Sequence, residues 1–155
     1  MLFTDGSVNV QTNIGFGACL IVSEPEQDTG SLKNLVKVKR FENTSSTKLE
    51  LQTLLWALNE NQFLERKVII YTDSQNIIGL PGRRARLELN DYRSKKNKQL
   101  KNSELYQEFY QITDQLDCEF VKVRGHKASH QKDNIDRIFT LVDRASRNAL
   151  RGDLS

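Results

Sequence analysis

The chain has 155 residues, 37% hydrophobic and 28% charged, with a formal net charge of +3. That is one domain of ordinary size, polar on its surface and long enough to bury a core. No apolar run approaches membrane-spanning length, the N-terminus lacks a signal-peptide pattern, and the two cysteines, Cys19 and Cys118, form neither a Cys-x-x-Cys site nor a disulfide framework. The expectation is a single domain over 1–155 in a reducing, cytoplasmic setting, without a membrane.

The charge is unevenly placed. Arg83 to Lys101 holds eight Lys or Arg against Glu88 and Asp91, and Lys122 to Arg151 holds eight more against Asp133, Asp136 and Asp143. The remainder is therefore acidic. Such a separation suits binding of an anionic polymer, although two solvated helix faces give the same counts.

In chain order, a short apolar run ends at Thr4-Asp5-Gly6-Ser7, followed by a polar turn to Asn13. Ile14 to Ser23 reads as a second strand, with Gly15 and Gly17 permitting close backbone approach. Glu24 to Ser31, with Pro25, Asp28 and Gly30, reads as a turn cluster, and Leu35 to Phe41 as a half-exposed third strand. Short loops between the three imply an antiparallel meander.

Leu51, Leu54, Leu55 and Leu58 make an amphipathic helix from about Thr47 to Asn61. Val68 to Thr72 is apolar or β-branched throughout, a strand buried on both faces, and it ends at Asp73. A short helix after Asp73 is expected to stop near Pro81-Gly82, with Arg83 to Lys101 part helix and part loop. Leu105, Phe109, Ile112 and Leu116 mark another helix, Cys118 to Val123 a fifth strand, and Asp133 to Arg151 a last helix. The order β-β-β-α-β-α-α-β-α is an α/β chain with a mixed sheet packed by helices.

Two strands that both end Thr-Asp would set Asp5 and Asp73 at one sheet edge, where open α/β sheets place their ligand sites. Either acid alone could equally begin a turn or cap a helix. Glu50 flanks the apolar stripe of its helix, as a third acid of the site or as the partner of Thr47 in a capping box. Asp136 and Asp143, seven residues apart, share one flank of the last helix, and either could supply a fourth carboxylate. Converging carboxylates need positive charge between them, which magnesium or manganese supplies. Two such ions about 4 Å apart suit phosphodiester hydrolysis. His126 and His130 lack the companions of a zinc site. His126, in a loop after the fifth strand, could reach a water or a departing phosphate.

These residues resemble the type 1 ribonuclease H family over nearly the whole chain. The matching pieces are Phe3-Thr4-Asp5-Gly6-Ser7, Gly15-Phe16-Gly17-Ala18, Thr47-Lys48-Leu49-Glu50-Leu51, Ile70-Tyr71-Thr72-Asp73-Ser74, Gly125-His126 and Val142-Asp143-Arg144-Ala145-Ser146-Arg147. The resemblance implies a ribonuclease H-like fold, a five-stranded mixed sheet flanked by helices, with no separate hybrid-binding domain. It implies hydrolysis of the RNA strand of RNA/DNA hybrids to 5′-phosphate and 3′-hydroxyl ends, by a monomer with two Mg²⁺ or Mn²⁺ ions. By the same resemblance Asp5, Glu50 and Asp73 are metal ligands, His126 assists water activation or product release, and Glu50 reads the RNA 2′-hydroxyl. Asn9, Gln75, Arg83, Arg84, Lys95 and Lys96 fall in hybrid-contacting segments. Ser46 and Thr47 stand where relatives often carry asparagines. The spacing from the histidine points to Asp136 as the fourth acid, but the family's Asp-x-x-Ala/Ser-Arg context occurs at Asp143, which is the choice made here. A silent hybrid-binding module, or another nuclease of the same fold, is the alternative.

Overall fold

Five strands, β1 (Leu2–Asn9), β2 (Ile14–Ile21), β3 (Lys37–Phe41), β4 (Lys67–Thr72) and β5 (Asp117–Lys122), form one sheet in the order β3-β2-β1-β4-β5. A computed structural model describes residues 1–24, 28–61, 63, 67–124 and 133–154. The first three strands are antiparallel, as their short connections require, and β1–β4 and β4–β5 are parallel. The mixed five-stranded sheet expected from the sequence is therefore present.

Alternation along β1 assigns its two faces. Leu2 packs with Leu51, Leu54 and Leu58 of α2 (Ser46–Glu60), whereas Phe3 packs with Ile138, Phe139 and Val142 of α5 (Asn134–Leu154). Each face thus has its own core, and the central strand carries side chains into both. Phe3 also stacks on Tyr71 of β4, with ring centroids 4.7 Å apart. Burial of each such side chain is worth roughly 1.5–3 kcal/mol.

Three local expectations are corrected. The turn cluster before β3 contains a short helix, α1 (Thr29–Lys33), capped by Asp28, whose carboxylate accepts the Gly30 N–H at 3.2 Å. A single buried residue, Leu32, anchors it, so it leaves no apolar period in the sequence. The next correction concerns Pro81-Gly82, which does not end its helix: α3 runs Gln75–Leu89 with Pro81 inside. Buried Ile77 and Leu80, and the Tyr110 hydroxyl donating to the Leu80 carbonyl at 2.6 Å, hold the helix together against proline's cost of about 3 kcal/mol. Lastly, α2 is capped by Ser45, whose Oγ accepts the Lys48 N–H at 3.3 Å, so the Thr47–Glu50 capping box is not formed. The remaining helix, α4 (Ser103–Gln115), packs against α2 and the β5 edge.

Candidate active site

β1 and β4 pair in parallel with Leu2 opposite Ile70 and Phe3 opposite Tyr71. Two residues beyond that last pair stand Asp5, within β1, and Asp73, the first residue after β4. Asp73 does not cap the helix that follows. Ser74 does, its Oγ accepting the Ile77 N–H at 3.2 Å.

Glu50 is delivered by α2, which lies very close to the sheet. A Cβ on Gly15 would fall 2.7 Å from Leu49 Cδ2, and one on Gly17 would fall 2.1 Å from Thr53 Oγ1. The two glycines that read as close-approach positions are where the helix meets β2. With Leu49 buried against them, the next residue, Glu50, emerges within reach of the Ser74 hydroxyl and the Asp73 charge.

The fourth acid comes from α5. Asp143 comes within hydrogen-bonding reach of Asp5, close enough to raise its proton affinity. Asp136 is engaged at the start of the helix instead: its N–H donates to Asp133 Oδ1 at 2.8 Å, and its Oδ2 accepts the Asp133 N–H at 3.2 Å. That reciprocal pair is a capping box. Of the two acids on one flank, the structure brings Asp143 to the sheet edge and uses Asp136 to begin the helix.

The crowding registers in proton affinity. Burial first, then the Asp73 charge and the approach of Asp143, push the Asp5 carboxyl up to about 8, against a smaller opposing pull from the Gly6 N–H. Glu50 is also raised, by burial, with the Ser74 hydroxyl opposing and the Asp73 charge adding. Asp143 also pairs with Arg147 one turn along α5, Nε to Oδ1 at 3.0 Å, a half-exposed ion pair on the outer side of the cluster that leaves the proton affinities of Asp5 and Glu50 raised.

The other predicted positions are less uniform. Asn9 closes the β1–β2 turn, its Oδ1 accepting the Gln11 N–H at 2.9 Å. Ser46 and Thr47 are exposed in the first turn of α2, and Gln75 opens α3 with its Oε1 accepting from Lys122 Nζ at 2.7 Å. Arg83 turns back to donate to Asn76. Arg84 is held by Glu88 and Asp114 over the Tyr110 ring. Lys95 and Lys96 are exposed in the loop after α3. His126 lies outside the described residues, as does His130. A cleft of about 550 Å³ runs past Lys48 and Lys101.

The family model for RNase H matches residues 1–149. The chain belongs to the RNase H family. It is thereby placed among the ribonuclease H enzymes, with the fold that the sheet order displays. A similar relative is the ribonuclease H of Caldicellulosiruptor saccharolyticus, 27% identical over 142 residues, covering 89% of this chain and 91% of that protein. A similar solved structure is that of the foamy viral protease-reverse transcriptase in complex with dsDNA. It is 15% identical, covers 94% of this chain and 92% of that one, and has a TM-score of 0.63, a likeness of fold.

RNase H enzymes generally use divalent metal ions. Among the described residues, no three acidic, histidine or cysteine side chains are already close enough to close around an ion. The donor set nevertheless fits: Asp5, Glu50, Asp73 and Asp143 offer only hard carboxylate oxygens, and the raised proton affinities of Asp5 and Glu50 show a site that gains from a cation. Sequence reasoning missed Ser74 and the buried Ser146. Ser74 was legible as a cap directly before a helix; Ser146 was visible as the serine of the Asp-x-x-Ala/Ser-Arg context, but not its burial, because a serine in an amphipathic helix usually faces water.

Proposed function

We propose that this chain hydrolyses the RNA strand of RNA/DNA hybrids at the Asp5–Glu50–Asp73–Asp143 cluster, leaving 5′-phosphate and 3′-hydroxyl ends. The observation that carries the reading is the approach of Asp143 on the last helix to Asp5 on β1, next to the end of β4 where Asp73 stands. The four carboxylates would hold two Mg²⁺ or Mn²⁺ ions, which when bound lower the pKa of a water and stabilise the departing oxygen.

The chain's own groups supply the rest. The Ser74 hydroxyl orients the Glu50 carboxylate, leaving acceptor capacity for a ribose 2′-hydroxyl, the group that separates RNA from DNA. Lys48 and Lys101 along the neighbouring cleft, and Lys95 and Lys96 beyond α3, are placed to hold phosphates, so binding should weaken as salt rises. By the family resemblance Asn9, Ser46, Thr47 and Gln75 are assigned to groove and backbone contacts with the hybrid, and His126 to the departing product.

The test is a labelled hybrid incubated with magnesium beside single-stranded RNA and duplex DNA. Cleavage of the hybrid alone, lost in Asp73→Asn, is expected. Tight hybrid binding with no cleavage would mean a silent binding module, and equal cutting of duplex DNA would mean another nuclease of this fold.

A further inference from the structure

The Ser146 side chain is fully buried on α5, and its Oγ lies 3.0 Å from Ser7 Oγ on β1. The same Oγ donates to the Asp143 carbonyl, also at 3.0 Å. A serine hydroxyl has one proton. Either oxygen can donate across the pair; with the Ser146 proton on the Asp143 carbonyl, the donor is Ser7. The chain of bonds therefore runs from the Ser7 hydroxyl through Ser146 to the backbone carbonyl of Asp143.

Its position bears on the acids. Ser7 is two residues beyond Asp5 and on the same face of β1. Ser146 is three residues after Asp143, on the adjoining turn of α5. The hydroxyl link and the acid contact thus span the same helix and strand, one strand repeat apart. Other contacts across this face are the apolar packing of Phe3 with Ile138, Phe139 and Val142, which is non-directional, and an ion pair from Arg40 of β3 to Asp153 near the far end of α5, Nε to Oδ1 at 3.4 Å. The apolar packing holds α5 against the sheet without fixing how far it has slid along it, and the long, partly exposed pair at the far end fixes it only loosely. Satisfying a buried serine needs only the helix carbonyl three residues back. The second bond, to another element, is what that need leaves unexplained.

We propose that the Ser7–Ser146 hydroxyl pair is a positioning device that fixes the register of α5 on β1, and so where the Asp143 carboxylate meets Asp5. The proposal rests on the reading of Asp143 as a metal ligand. Ser7 and Ser146 touch neither substrate nor ion in this account; they act through Asp143.

Ser146→Ala and Ser7→Val remove the link, and Ser7→Thr keeps a hydroxyl on the same β-branched shape. Manganese binding to the full chain would be measured by titration calorimetry, alongside kcat and KM on a hybrid and melting temperature in chelator. Losing one such bond should weaken manganese binding about five-fold and lower kcat at sub-saturating metal by a similar factor, with hybrid KM unchanged. Ser7→Thr should restore both. A merely structural pair would lower the melting temperature and leave manganese affinity and kcat alone, and that result overturns the proposal. Ser146→Ala adds no volume and favours helix, so it decides the matter even if Ser7→Val folds poorly. Wild type that neither binds manganese nor cuts hybrid overturns this proposal together with the functional reading. Active wild type with variants equal to it overturns this proposal alone.

Discussion

The Asp143 carboxylate on α5 comes within hydrogen-bonding reach of Asp5 on β1, while Asp136, two turns earlier on the same helix, is bound to the Asp133 backbone. One helix flank thus carries two acids with separate duties, one at the sheet edge and one at the helix start.

The division predicts opposite phenotypes. Asp143→Asn should lower hybrid cleavage by more than about a hundred-fold, as loss of a metal ligand exceeds loss of an outer partner. Its melting temperature in chelator should change little, because removal of a crowded like charge offsets loss of the half-exposed pair with Arg147. Asp136→Ala should cost about 1 kcal/mol of stability, the worth of a helix cap, and leave cleavage within about two-fold. Steady-state kinetics and thermal melts on the two variants check both. The reverse pattern would make Asp136 the ligand.

Stability without metal should fall as pH rises. The folded Asp5 carboxyl is pushed up to about 8 from its ordinary 3.8, so the folded state binds the proton more tightly than the unfolded chain does. The stabilisation is therefore fully present below about pH 4 and is lost progressively as pH rises through about 8. Glu50 is raised too and adds in the same direction. In chelator this contribution should decline by a few kcal/mol, to order of magnitude, across that window, and Asp5→Asn should flatten it. Melts of both proteins at several pH values test it; equal slopes would contradict the Asp5 assignment.

Much of this was legible beforehand because it depends on local pattern. The run Val68–Thr72 could only be a buried strand, and its end placed Asp73. Gly15 and Gly17 announced a close approach, and Leu49 and Thr53 are what approaches them. The choice between Asp136 and Asp143 was not settled by periodicity, since seven residues return to the same helix flank. How far α5 lies along β1 decides it, and that is a tertiary quantity. The continuation of α3 past Pro81 was hidden for a related reason: contacts from another helix, chiefly Tyr110, outweigh the local proline signal.

The Gly17 contact gives a sharper test of how α2 is seated. An alanine Cβ there would lie 2.1 Å from Thr53 Oγ1 and 2.8 Å from its Cγ2, and Thr53 is buried with its Oγ1 bonded to the Leu49 carbonyl at 2.7 Å. Either α2 lifts or that bond breaks. Gly17→Ala should cost roughly 1–3 kcal/mol in urea unfolding, the range for overpacking a core. Thr53→Ala in the same chain should recover only part of it, because Thr53 Cβ is itself 2.9 Å from the new methyl. A neutral Gly17→Ala would show that α2 sits further from β2.

Pro81 offers the opposite case, a local rule broken without local compensation. It lies exposed inside α3, has no N–H for the Ile77 carbonyl, and sits one residue after Leu80, whose carbonyl accepts from Tyr110. Pro81→Ala restores that donor in a helix already held on both sides, so the variant should gain about 1–3 kcal/mol in urea unfolding. Proline also stiffens the unfolded chain, which offsets the gain by up to about 1 kcal/mol. Hybrid KM should stay within about two-fold, since Lys95 and Lys96 lie in the loop beyond the helix. A less stable variant would mean that α3 is bent at Pro81 so that an N–H there finds no carbonyl. A raised KM would mean that the bend aims the basic segment at the substrate.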